Sequence, residues 1–317
     1  MTTSELPTID FRDLVNLTAC AALDDACSDW GVFLLDNHPI DQTACSQLRA
    51  AAHQFFEQPL AVKRLIERTE SNPWGFYNQE LTKNTADWKE IFDYGPEDSE
   101  GWMPQWPANL PNFQQAVATH WTACESVAFA LIDCIAHNLG ATDNELRQGF
   151  KPSHTSFLRL NFYPPCASPE APAGMSTPSE GHLGVNHHTD SGAITLLLQD
   201  EHEGLEIYRQ GQWHLVPADP TKLVVNIGDI VQVWSNDRYK APVHRVRANQ
   251  SQERLSAPFF FNPRYDYVYQ PLLGSLSTSG SPRYRAIEWG EFRRLRALGD
   301  YGDYGSEVQI SDYATGS

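Results

Sequence analysis

The sequence is short of basic residues and methionine: 23 Lys and Arg stand against 40 Asp and Glu, a formal net charge of −17, with 3 Met in 317 residues. A field of that sign repels polyanions, which sets aside nucleic acid and anionic membrane surfaces as first partners. No Cys-x-x-Cys occurs among the cysteines at 20, 27, 45, 124, 134 and 166, so neither a zinc ribbon nor a thioredoxin-type pair is suggested, and reduced, buried thiols are expected. No run approaches the roughly twenty apolar residues of a membrane span. The start MTTSELPTIDF carries Glu5 and no apolar stretch of signal-peptide length. These absences leave a cytoplasmic globular protein, expected as a monomer with a small-molecule substrate. Disorder is excluded by what is present, since 11% of the residues are aromatic and supply apolar mass to offset the entropy of ordering the chain.

Periodicity divides the chain. PTIDF and GVFLL read as brief strands, and Asp41 to Glu67 has helical apolar spacing interrupted at Pro59. From Ser71 to Pro107, prolines and glycines among aromatics predict a long ordered loop bordering a site. Phe113, Val117, Trp121, Cys124, Val127, Leu131 and Ile135 recur every three or four residues, which predicts a helix stopped near Gly140. The period then changes to two in TSFLRLNFY, AITLLLQ, GLEIYRQGQWHLV, KLVVNIGDIVQVW, APVHRVRA and RLSAPFFF, with Gln210-Gly211 and Gly228-Asp229 as turn signals. A short helical stretch near Ile287 to Leu298 interrupts an otherwise irregular tail. The expected fold is α+β, with a double-stranded β-helix (jelly roll) core buttressed by helices. Residues 1–110 are expected to form a supporting α/β region, and 111–317 a helix, jelly-roll core and tail that make one compact unit.

Chemistry concentrates in a few strands. In VNHHTDSG, His188 and Asp190 are two residues apart and share a strand face, while His187 points the other way. A second histidine, His244, lies within the alternating segment APVHRVRA. Two imidazoles and a carboxylate from different strands can occupy three corners of an octahedron, the facial triad that suits Fe(II) and leaves positions open for a cosubstrate and O₂. In RLSAPFFF, Arg254 and Ser256 also share a face, and a guanidinium fork with a hydroxyl meets the needs of a buried carboxylate; a solvated Arg on a strand edge would have the same spacing. Along TSFLRLNFY, Arg159, Asn161 and Tyr163 form a polar face opposite Leu158, Leu160 and Phe162. Tyr163 or Asn161 could then donate to a metal-bound carboxylate. His182, His187, His202 and His214 fall off the inward face by pattern and are read as non-ligands.

Together NFYPPC, HHTDSGAITLLLQD, GLEIY, NIGDIVQVWSNDRYKAPVHRV and RLSAPFFFNP resemble the iron- and 2-oxoglutarate-dependent dioxygenases related to isopenicillin N synthase and to plant flavonoid and gibberellin oxygenases. LPTIDF, DWGVFLLDNHPI, FFEQP and DWKEIFDYGP extend the resemblance over nearly the whole chain. Two departures are Pro39, where the family usually has Gly, and NFY for NYY, which keeps Tyr163. The resemblance implies that His188, Asp190 and His244 ligate iron and that Arg254 and Ser256 hold the distal carboxylate of 2-oxoglutarate. Tyr163 and Asn161 would lie near its chelating end, and Phe260 where relatives stack an aromatic on the substrate.

The implied activity is an Fe(II)/2-oxoglutarate-dependent oxygenase that consumes O₂, releases succinate and CO₂, and hydroxylates, desaturates or cyclises a small organic molecule. Two alternatives stay open at this level: an isopenicillin N synthase-type oxidase that does not use 2-oxoglutarate, and a non-catalytic binding protein of the same fold. The Pro-, Gly- and Ser-rich segment ASPEAPAGMSTPSEGHLGVN is expected to act as a lid or binding loop. Phe260, Phe76 and Trp88 are expected to line a largely apolar, aromatic substrate pocket.

Overall fold

A computed structural model describes residues 5–15, 20–97, 101–142, 144–170, 181–298 and 307–316. Its strands are β1 (Thr8–Asp10), β2 (Val32–Asp36), β3 (Gly75–Tyr77), β4 (Glu90–Tyr94), β5 (Phe157–Tyr163), β6 (Leu183–His188), β7 (Ile194–Gln199), β8 (Leu205–Arg209), β9 (Gln212–Leu215), β10 (Leu223–Ile227), β11 (His244–Arg247) and β12 (Arg254–Phe261), with short pairs elsewhere. Eight form one sheet in the order β1-β2-β10-β7-β12-β5-β4-β3, and four form a second in the order β9-β8-β11-β6. Apart from β1 and β2, which are parallel, neighbours in these sheets run antiparallel. The result is the double-stranded β-helix.

Alternation decides which side chains enter the roll. In β7, Ile194, Leu196 and Leu198 point out into the main core while Thr195, Leu197 and Gln199 point in; β12 repeats this with Leu255, Ala257, Phe259 and Phe261 outside and Arg254, Ser256, Pro258 and Phe260 inside. Both faces of such strands are buried, so they read as nearly continuous apolar runs. Polar residues interrupt these runs on the inward face.

The outer face of the large sheet is covered by α1 (Gln42–Phe56) and α2 (Phe113–Asn138). Asp41 starts α1 by accepting from the Thr43 amide at 2.8 Å. In α2 the buried stripe runs Phe113, Val117, Cys124, Val127, Leu131 and Ile135, as spacing predicts, but His120 takes the fully buried place expected of Trp121, which is only partly buried; Gly140 follows the cap with φ +65°. Gln210 and Gly211, both at positive φ, turn β8 into β9. All six cysteines are buried, unbridged thiols.

Two expectations need correction. Ser71 to Pro107 is not one long loop, because β3 and β4 within it add to the edge of the large sheet beyond β5. Its prolines flank those strands rather than interrupt them. Likewise KLVVNIGDIVQVW is not continuous strand: β10 stops at Ile227, and Asp229–Trp234 forms the helix α3, burying Ile230, Val231, Val233 and Trp234. A β-branched run resembles a strand, but tertiary packing overrides that weak preference. The tail supplies α4 (Trp289–Leu298).

Candidate active site

Antiparallel pairing of β6 with β11 sets His188 directly opposite His244, with ring centroids 4.3 Å apart. Each ring is fixed from behind. His188 Nδ1 lies 2.8 Å from the Asn186 carbonyl and His244 Nδ1 lies 3.0 Å from that of Pro242. Nδ1–H donation to those carbonyls leaves both Nε2 lone pairs facing inward. Asp190, in the loop after β6, places Oδ1 3.7 Å from His188 Nε2 and 3.6 Å from His244 Nε2. Its other oxygen accepts from Thr195 Oγ1 at 2.7 Å and Asn226 Nδ2 at 3.5 Å, side chains paired across β7 and β10. One atom from each of His188, Asp190 and His244 lies within 4.8 Å of the other two, the arrangement among the described residues that could hold a metal ion.

Electrostatics favours the same use. Burial, reinforced by His244, pushes the half-buried His188 imidazole below its usual pKa, so it stays neutral. Burial would raise Asp190, but the two histidines and the Thr195 and Asn226 donors outweigh it and keep the carboxyl below its usual value. Neutral imidazole and ionised carboxylate are the states that ligate a cation. The Asp190 loop is held by α3, whose Asp229 amide donates to the Asp190 carbonyl at 2.8 Å. A Cβ on Gly228 would collide with the Gly192 carbonyl and lie 2.9 Å from that of Asp190, so only glycine permits this approach. Arg296 of α4 donates to the Thr189 carbonyl at 3.2 Å from the other side.

A cavity continuous with solvent at its mouth adjoins these three groups. Arg254 lies in its wall, 2% exposed. Its Nε donates to the His202 carbonyl at 3.1 Å and its Nη2 to Gln199 Oε1 at 2.8 Å, while Nη1 has no partner. No acid in the described ion pairs meets this buried cation. Ser256 Oγ accepts from Asn161 Nδ2 at 3.3 Å, which leaves its O–H proton for another acceptor. Asn161 Oδ1 is itself buried without a donor. Tyr163, opposite Arg254 in the β5–β12 register, completes this end of the cavity. Gly184 lets β6 reach the Tyr163 ring, since a Cβ there would stand 2.7 Å from it. Converging N, N and O donors beside an unpaired guanidinium fit a divalent iron with a dicarboxylate chelate.

Phe260 faces the cavity and stacks on Phe157, with centroids 4.6 Å apart. Phe76 and Trp88 do not line it. Phe76 is fully buried in the core against Phe55, because its strand presents that face to the helices. Trp88 braces β6 from outside, its amide donating to the Leu183 carbonyl and its Nε1 to that of Pro164. Nor is the wall largely aromatic, because Lys89 and Arg159 enter it. Half of the suggested lid, residues 171–180 of 167–186, lies outside the described residues. Sequence reasoning missed Thr195, Gln199, Asn226 and Lys89; the first three are polar interruptions at period two within apolar strands, which is the signal that could have found them.

Lys89 and Arg159 belong to a buried cluster of six charges. Arg159 meets Asp93 at 2.7 Å and Glu80 at 2.8 Å; Arg68 meets the same two acids at 3.1 Å; Lys89 meets Glu80 at 2.6 Å and Asp87 at 3.1 Å. Burial would raise the Glu80 carboxyl, but Arg159, Lys89 and Arg68 hold it well below its ordinary 4.5. A depressed folded pKa gives stability that is complete above the unfolded value and lost as pH falls toward the folded one. Denaturant titrations are therefore expected to show stability falling as the pH drops below about 4.5, with a shallower fall in Glu80→Gln; equal slopes would remove Glu80 from that role.

The profile of the 2OG-Fe(II) oxygenase superfamily matches residues 154–263, and that of the non-haem dioxygenase in morphine synthesis N-terminal region matches residues 6–112. Jasmonate-induced oxygenase 4 of Arabidopsis thaliana is 30% identical over 299 residues, spanning 92% of this chain and 82% of that protein. Flavonol synthase/flavanone 3-hydroxylase of Petunia hybrida is 29% identical over 297 residues, spanning 91% and 82%. The crystal structure of JOX2 in complex with 2OG, Fe and JA superposes with a TM-score of 0.82 at 26% identity, over 98% of this chain and 89% of that one.

Proposed function

This chain belongs to the 2OG-Fe(II) oxygenases, and from that premise we propose that His188, Asp190 and His244 hold its iron while Arg254 and Ser256 hold the distal carboxylate of 2-oxoglutarate. The protein is an Fe(II)- and 2-oxoglutarate-dependent oxygenase that hydroxylates, desaturates or cyclises a small organic molecule. Bound iron with 2-oxoglutarate supplies the activation of O₂, with succinate and CO₂ as coproducts. The observation that carries the assignment is the buried Arg254, which has no acid partner among the described residues, has an Nη1 without a hydrogen-bond partner, and lines the cavity that holds the three donors.

Each residue then has a task. His188 and His244 offer Nε2 because their Nδ1 atoms are tied to backbone carbonyls. Asp190 offers Oδ1 because Thr195 and Asn226 occupy Oδ2. Arg254 and Ser256 donate to one carboxylate, and Tyr163 with Asn161 borders the chelating end. Leu197, Leu205 and Val246 line the same space and exclude water from it. Phe260 offers its ring to the substrate.

The two alternatives raised by the sequence draw no support from these relatives, two of them named as oxygenase or hydroxylase and the third solved with 2OG and Fe. Purified protein given Fe(II), O₂ and 2-oxoglutarate is expected to release succinate and CO₂ in equal amounts, slowly without substrate. Oxygen consumption without succinate would sink the assignment. We further read the chain as a cytoplasmic monomer: its unbridged thiols suit a reducing compartment, and light scattering at the mass of one chain checks the second half.

A further inference from the structure

The buried cation pairs of the cluster beside the cavity leave one hydrogen atom to account for. An ammonium carries three N–H donors. Lys89 Nζ has two carboxylates within reach, Glu80 at 2.6 Å and Asp87 at 3.1 Å, and its side chain is 4% exposed. Among the described contacts nothing takes the third, and the side chain lines the cavity shared with His188, Asp190, His244 and Phe260. Glu80 and Asp87 hold the group in place, and they also keep it charged.

The charge balance constrains what the third N–H can meet. Among the described residues Arg68, Lys89 and Arg159 are matched by Glu80, Asp87 and Asp93, so these six groups are neutral together before any ligand enters. A carboxylate placed on Lys89 would bury a negative charge with no cation left over, which is costly. A carbonyl oxygen takes the hydrogen bond and leaves the balance unchanged. The apolar partner is Phe260, held flat by its stack on Phe157.

We propose that Lys89 is the polar anchor of the substrate, and that the substrate is an uncharged ring compound whose carbonyl oxygen accepts from Lys89 while its ring lies on Phe260. This rests on the assignment of the cavity as the substrate site of the oxygenase. Three matched probes test it by calorimetry on the full chain with Fe(II) and 2-oxoglutarate under anaerobic conditions: 4-chromanone, chroman, which lacks the carbonyl, and chromone-2-carboxylate. One charge-assisted hydrogen bond predicts that 4-chromanone binds ~10- to 100-fold more tightly than chroman. Chromone-2-carboxylate is expected to be the weaker of the two carbonyl compounds. Lys89→Met should abolish the preference for 4-chromanone over chroman.

Equal affinity for 4-chromanone and chroman, no detectable binding of 4-chromanone, or tighter binding of the carboxylate overturns the proposal. The wild-type comparison decides even if Lys89→Met fails to fold. Binding of 2-oxoglutarate is measured first in the same samples: if it is absent, the oxygenase assignment of the cavity has failed, whereas its presence with any of the three adverse probe results places the failure at Lys89.

Discussion

Asp190→Ala is expected to abolish turnover, with iron affinity falling by at least ~100-fold, since changes to groups merely supporting a metal ligand already cost ~10–100-fold. Asp190 supplies the carboxylate of the three converging donors, and it lies in a loop after β6 rather than within a sheet ladder. The fold should survive. Truncation deprives Thr195 and Asn226 of their acceptor, at roughly 1–3 kcal/mol for an unsatisfied buried donor, but it also removes a buried charge. Iron content after dialysis, succinate release and thermal unfolding followed by circular dichroism check the three parts together. His244→Ala should behave alike. Substantial turnover in either variant would show that the pair of strands β6 and β11 does not hold the metal.

Arg254→Leu carries the second large effect. The guanidinium is buried and fixed by Gln199 and the His202 carbonyl, so it cannot swing out to be replaced by water. Taking one partner from a buried ion pair costs about 3–5 kcal/mol, or two to three and a half decades in affinity. The 2-oxoglutarate concentration for half-maximal succinate release should rise accordingly, with iron binding retained. Arg254→Lys keeps the charge but loses the fork, so a partial loss is expected. An unchanged requirement in Arg254→Leu would mean that the cosubstrate carboxylate lies elsewhere.

Much of the site was legible because strands write their geometry in the sequence. The period of two placed Arg254 with Ser256 on a common face, and in the structure both line the cavity with His188, Asp190 and His244; β6 ends at His188, however, so Asp190 reaches the site from the loop that follows and not by strand alternation. What supports them was harder to see. Gln199 and Asn226 act through partners 55 and 36 residues away in sequence, which only strand order brings near, and Thr195, five residues from Asp190, meets it across a turn that the period of two does not describe. Phe76 and Trp88 show the opposite limit: an aromatic residue near a site in sequence has no reason to face it, and the core took one and the outer surface of β6 the other. DIVQVW was misjudged because β-branched residues pack equally well on a short buried helix. Lys89 was invisible because its meaning depends on five charges from separate segments.

The order of the large sheet has a consequence for how the protein is made. β2 pairs with β10, and β4 with β5, so strands from the first hundred residues flank the roll on both sides. On the ribosome β2 emerges long before its partner. At ~5–20 residues per second the gap is on the order of ten seconds or more, during which its apolar side chains have no sheet to join. The nascent chain must therefore be shielded, and slower synthesis at low temperature or more abundant chaperones should raise the yield of folded enzyme more than any change to its surface.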